Sequence, residues 1–195
     1  MKNLSVLIFT LISIFTFGQN KPSDFTKTFE NELKNWKITF QNFKLEDFEK
    51  SETINIANIE KAEKTFSDLS KIDKKFGYFS PNQDSFISIF SSLNIEIENG
   101  KYKASPDVDQ SVEYYDLKNK KNKNIIYCGS SDGIDDVVYV TEKLVLFVGS
   151  KFEDENREPI IYILDLNNKV IEKYENSKSK QFKQYKSDKL KEVKI

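Results

Sequence analysis

The sequence predicts a mainly β (α+β) single domain, an antiparallel meander of about eight short strands in two repeated units, covered by N-terminal helices. Three observations carry that expectation. After Phe76 the apolar residues change from helical spacing to alternation, Asn99-Gly100 offers the positive φ angles of a tight hairpin, and the residues around Asp116-Leu117 recur 49 positions later around Asp165-Leu166. A chain of 195 residues that is 38% hydrophobic and 13% aromatic has enough apolar material for one packed core.

The first residues place Lys2 ahead of an apolar run, Leu4 to Phe17, and then the small residue Gly18. That is the layout of a secretory signal peptide. The run is 14 residues long, whereas a helix crossing a bilayer needs about 20. Cleavage between Gly18 and Gln19, with Thr16 at position -3, is therefore expected, giving a periplasmic or secreted product with no stable membrane anchor.

Residues 19–75 read as helical. Ser23 and Asp24 can cap a helix in which Phe25, Phe29, Leu33 and Trp36 fall on one face. Trp36 to Phe40 alternates and can instead open a strand. A second helical pattern runs from Ile59 to Ile72, with Ala62, Phe66, Leu69 and Ile72 on one side. Both stripes are expected to pack on a core.

Residues 76–175 then read as β, in units 76–128 and 135–175. Ser85 to Phe90 and Leu93 to Glu98 alternate, and Asn99-Gly100 turns the chain into Lys101 to Ala104. Further strands are expected at Ser111 to Leu117, Asn124 to Cys128, Asp136 to Thr141, Leu144 to Gly149, Ile160 to Leu166 and Val170 to Tyr174.

Glu113-Tyr-Tyr-Asp-Leu-Lys-Asn-Lys120 and Tyr162-Ile-Leu-Asp-Leu-Asn-Asn-Lys169 share Asp-Leu-x-Asn-Lys in register. Upstream, Tyr78 to Ile87 and Tyr139 to Val145 each read as strand, polar turn, strand. These paired units resemble β-propeller blades of the WD40 or TolB type, from about Phe76 to Tyr174, without the Trp-Asp dipeptide or Gly-His signature of the former. The resemblance implies blade-like four-stranded units. A closed ring takes about four to eight blades, so two cannot close one within a single chain. The signal peptide, helical lead, Asp107-Val-Asp-Gln110, Tyr127-Cys-Gly129 and Asp135-Asp-Val-Val-Tyr139 also resemble small exported bacterial proteins, a likeness that implies no activity.

Composition excludes much chemistry. With no His there is no Ser-His-Asp or Cys-His nucleophile and no His-ligated zinc. Cys128 is the single cysteine, so no intrachain disulfide forms, and its apolar setting predicts a buried core thiol. Arg157 is the one arginine among 30 basic residues. Phosphate and guanine recognition lean on the arginine fork, so nucleic acid is not an expected partner.

Acidic groups gather at Asp107 with Asp109, at Asp132, Asp135 and Asp136, and at Glu153 to Glu158. Ser130 to Asp136 has the oxygen ligands calcium takes, and Asp132, Asp135 and Asp136 are the candidate metal or ligand-binding residues. The segment is not an EF-hand, because Cys128 would hold the first ligand position and Tyr139 the twelfth. Turn chemistry accounts for the same Asp, Ser and Gly residues without an ion. No other cofactor is expected.

Residues 176–195 carry seven lysines against Asp188 and Glu192. A solvated basic tail, folding back on the acidic sheet or frayed, is expected. Phe182, Tyr185 and Val193 permit the alternative of a helix for an anionic surface or a partner. Taken together, the sequence points to an exported, non-enzymatic binding or interaction module of the cell envelope, its partner an envelope or secreted protein or a glycan. The alternatives are an extracellular glycan hydrolase with paired carboxylates, which needs no His, and a calcium-dependent ligand-binding module.

Overall fold

The computed structural model describes residues 20–57, 60–61, 66–106, 109–153 and 155–194. The expected signal peptide and its cleavage point lie outside them, as do Ile59, Ala62, Asp107 and Asp154. Among the described residues there are three short α-helices, α1 (Thr26–Asn31), α2 (Lys34–Lys37) and α3 (Lys71–Phe76). The strands are β1 (Phe40–Gln41), β2 (Glu49–Asn55), β3 (Glu60–Lys61), β4 (Tyr78–Phe79), β5 (Ser85–Ser88), β6 (Leu93–Glu98), β7 (Lys101–Pro106), β8 (Gln110–Asp116), β9 (Lys121–Cys128), β10 (Asp132–Tyr139), β11 (Leu144–Glu153), β12 (Asn156–Asp165), β13 (Val170–Glu175), β14 (Lys180–Gln181) and β15 (Val193–Lys194).

The fold is mainly β. A central five-stranded sheet has the order β10-β11-β12-β13-β2 and a second the order β3-β9-β8-β5-β4, both antiparallel throughout. A small sheet β15-β7-β6 contains one parallel pairing, β15 on β7. None of the sheets closes into a barrel.

The two large sheets face each other. Ile134, Val145, Phe147, Ile160, Tyr162 and Leu164 of the central sheet pack with Ile87, Val112, Tyr114, Ile125, Ile126 and Cys128 of the second. On β11 and β12 the intervening residues, Leu146, Val148, Ile161 and Ile163, point the opposite way and meet Phe25, Phe29, Leu33 and Trp36. Both faces of these strands are therefore covered, which is why their sequences read as continuous apolar runs. The N-terminal helices supply that cover, with Trp36 and Phe40 ring centroids 4.8 Å apart.

Asn99 and Gly100 take φ angles of 51° and 75°, as the hairpin between β6 and β7 requires. The two Asp-Leu-x-Asn-Lys stretches each close a hairpin. Asp116 accepts from the Asn119 amide nitrogen at 2.9 Å, and Asp165 accepts from the amides of Asn167 and Asn168 at 2.8 and 3.1 Å. Lys120 and Lys169 follow with φ of 52° and 56°.

Three expectations are corrected. Residues 19–75 are not helical throughout, because β2 occupies Glu49–Asn55. That strand has only one apolar residue, Ile54, and it forms because β13 offers an unpaired edge, so tertiary pairing overrides local pattern. The second helix begins at Lys71, where Ser70 and Asp73 form a reciprocal capping box, and β3 occupies Glu60–Lys61 upstream of it. Residues 176–194 take the folded-back course of the two expected for the tail, and they neither fray nor form a helix for a partner. β14 pairs with β1, β15 pairs with β7, and Lys178 and Lys180 reach Asp47 and Glu158.

Candidate functional site

Asp132, Asp135 and Asp136 lie on β10, at the edge of the central sheet. Between Ile134 and Asp136 the register against β11 slips, leaving Asp135 as the extra residue of a β-bulge. The residue opposite is Gly149. A Cβ there would sit 2.0 Å from the Gly133 carbonyl oxygen, so only glycine allows the two backbones to approach this closely. The edge is held from outside by buried Gln110, whose Oε1 accepts from the Ile134 amide at 2.7 Å and whose Nε2 donates to the carbonyls of Ile134 and Ile89.

The bulge sends the three carboxylates to different surroundings. Asp132 joins an ion ladder, with its Oδ2 3.4 Å from Lys173 Nζ, which also meets Glu175 at 2.9 Å; Lys151 reaches Glu175 at 2.8 Å. Asp135 turns toward the helices and accepts a hydrogen bond from the Trp36 indole nitrogen at 3.0 Å. Burial pushes its carboxyl up to about 6, with the Trp36 bond and Arg157 pulling the other way. Asp136 accepts from its neighbour Val137 N at 2.9 Å and from the Tyr185 hydroxyl. The three do not converge, and among the described residues no group of three or more Cys, Asp or Glu side chains is placed to hold a metal ion.

What gathers instead is Asp135, Arg157 and the C-terminal segment. From Phe182 to Ser187 the chain crosses the end of the central sheet between its anchors β14 and β15. It walls two adjoining cavities of about 490 and 570 Å³ that share Asp135, Arg157, Gln184 and Tyr185. Arg157, at the start of β12, is exposed, and its Nη1 donates to the buried Ser150 Oγ at 3.1 Å. The larger cavity is also lined by Phe90, Leu93, Pro106 and Leu190, and by the polar Ser92, Gln110, Lys186 and Ser187.

The segment is latched at several points. Tyr185 donates to Asp136, Tyr78 Oη and Ser187 Oγ are 3.2 Å apart, and Lys189 donates to the Gly77 carbonyl at 2.9 Å. Burial, reinforced by Asp136, pushes both tyrosine hydroxyls far above their usual range. They stay neutral hydrogen-bonding groups. Cys128 is buried between the sheets, where burial and then Asp132 push its thiol up to about 11.

Sequence reasoning singled out Asp135 but not its partners. Arg157 stood out as the single arginine and Tyr185 as an aromatic among lysines, while Gly149 entered only as the end of an expected strand; only the fold brings them together. No known protein family, curated protein or solved structure matches the chain.

Proposed function

We propose that this chain is an exported, non-enzymatic binding module of the cell envelope, and that its ligand sits in the cleft walled by Asp135, Arg157 and Tyr185. The observation that carries this reading is the meeting of two cavities at the one arginine of the chain. Around it the protein's own polar groups hold one another. Asp135 is engaged by Trp36 and Asp136 by Tyr185. Asp136 lines neither cavity, so among the described residues Asp135 is the one carboxylate of the cleft, where a glycan hydrolase would use two.

The test is a thermal-shift panel on the full chain, using sugars, amino acids, short carboxylates and inorganic phosphate, with Gln184→Trp as a variant that fills the cleft. A compound that raises the melting temperature of the wild type and not of Gln184→Trp is the expected result. Equal shifts in both proteins would place binding elsewhere and remove the cleft from the reading.

A further inference from the structure

We infer that the cleft takes a small organic carboxylate with a short apolar body, its carboxylate docked on the Arg157 guanidinium. This rests on the cleft being the binding site and names what that site selects.

The choice of residue is the first argument. The chain answers its other cationic needs with lysine, and its single arginine stands where both cavities meet. Arginine differs from lysine in presenting a planar fork of donors that matches a carboxylate with two parallel hydrogen bonds. The bond from Nη1 to Ser150 orients that plane against the sheet, and Ser150 itself is buried and fixed. A guanidinium carries five N–H donors, so one bond to Ser150 leaves enough for a bidentate contact.

The second argument is the wall chemistry. Beside Arg157 the larger cavity is lined by apolar Phe90, Leu93, Pro106 and Leu190, by Lys186, and by polar Ser92 and Ser187. A cationic anchor beside Phe90, Leu93, Pro106 and Leu190 fits an amphipathic anion, which sets its charge on the arginine and its short apolar body against those side chains. Asp135 does not occupy the arginine's place, because its Oδ2 is turned to the Trp36 indole. A volume of about 570 Å³ accommodates a ligand of several heavy atoms.

The experiment is isothermal titration of the full chain with hexanoate, hexanamide and inorganic phosphate, repeated on Arg157→Gln, Arg157→Lys and Gln184→Trp, each checked for native circular dichroism. Hexanoate should bind the wild type, with hexanamide and phosphate at least tenfold weaker, since the first lacks the charge and the second the apolar body. Arg157→Gln should lose tenfold or more, Arg157→Lys should fall between, and Gln184→Trp should abolish binding. If hexanamide binds as well as hexanoate and Gln184→Trp blocks both, the cleft stands and the carboxylate inference falls. If hexanoate binds Gln184→Trp and Arg157→Gln as well as the wild type, or does not bind the wild type at all, the inference is overturned.

Discussion

The two large sheets use the same local device in different settings. In each, a strand ending in Asp-Leu turns through Asn and Lys into its neighbour, and the leucine amide donates back to the turn before an adjoining strand. Leu117 N reaches the Asp84 carbonyl at 2.8 Å and Leu166 N the Lys143 carbonyl at 2.9 Å. Around these hairpins run the matching paths β4-β5-β8-β9 and β10-β11-β12-β13, each extended by one strand from the segment before α3. The units part company at their beginning. β10 is an eight-residue strand, whereas β4 has two residues and is preceded by α3. The bulge, Asp135 and the cleft lie on the part of β10 that β4 lacks. The two sheets thus share a strand path, and the candidate site lies where the two paths differ.

The sheets also differ in cover. β11 and β12 are packed on both faces, while among the described residues the outer face of the second sheet carries the smaller cluster of Leu69, Phe86, Tyr115 and Leu117, with Phe79 against it. Truncating the better-covered sheet should therefore cost more. Phe147→Ala, at a fully buried position between the sheets, is expected to lose about 3–5 kcal/mol, and Leu117→Ala, in the small outer cluster, about 2–3 kcal/mol. Urea denaturation of both variants checks the ranking. Equal losses would mean that the thin outer cover packs as well as the deep core.

Asp135 provides a test of the bulge through pH. Its carboxyl rises from 3.8 to about 6, chiefly through burial, with the Trp36 bond and Arg157 opposing and Asp136 reinforcing; Tyr185 of the crossing segment also lies within its electrostatic reach. A raised acid means that the folded state prefers the protonated form. The group imposes no penalty below about pH 4, and the penalty grows as pH rises through about 6. At roughly 1.4 kcal/mol per pKa unit, it reaches up to about 3 kcal/mol above pH 7. Asp135→Asn, which keeps an acceptor for Trp36, should match the wild type near pH 4 and exceed its stability by up to that amount at pH 8. A difference that does not grow with pH would place the carboxylate in contact with water.

Much of the β architecture was legible because each strand had to present one face to a core, and period-two alternation survives that demand. β6 and β7 with their Asn99-Gly100 turn follow directly from it. The polar β2 did not, since Glu49 to Asn55 becomes a strand only when β13 stands beside it. β4 falls where Tyr78 was expected to open a strand, whereas the two-residue strands β3, β14 and β15 are pairings too short to leave a pattern, so more strands form than were expected. At the site, Asp135 was visible as an acid and Arg157 as a lone arginine. Their meeting depends on a register slip, whose sequence trace is Gly149 in a strand first expected to end there.

Gly149 makes the register slip testable on its own. With a Cβ 2.0 Å from the Gly133 carbonyl, Gly149→Ala must push β10 away from β11, an overpacking that typically costs about 1–3 kcal/mol. Because the displacement starts where Asp135 is set, the Trp36 environment should change with it. Altered tryptophan fluorescence alongside the stability loss is the expected signature. An unchanged spectrum would show that the bulge does not depend on the missing side chain.

The smallest effects bear most directly on the repeat. Asp116→Ala and Asp165→Ala each remove a carboxylate that accepts turn hydrogen bonds, and each should cost about 1 kcal/mol. The two turns belong to different sheets, so the double variant should lose the sum. Asp165 accepts from two backbone amides where Asp116 accepts from one, which predicts a slightly larger loss at Asp165. Urea titration of the two single variants and the double measures both points. A clear reversal, with Asp116 the costlier, would mean that the thinly covered sheet relies on its turn where the buried one relies on its core, and that one motif is doing unequal work in the two halves.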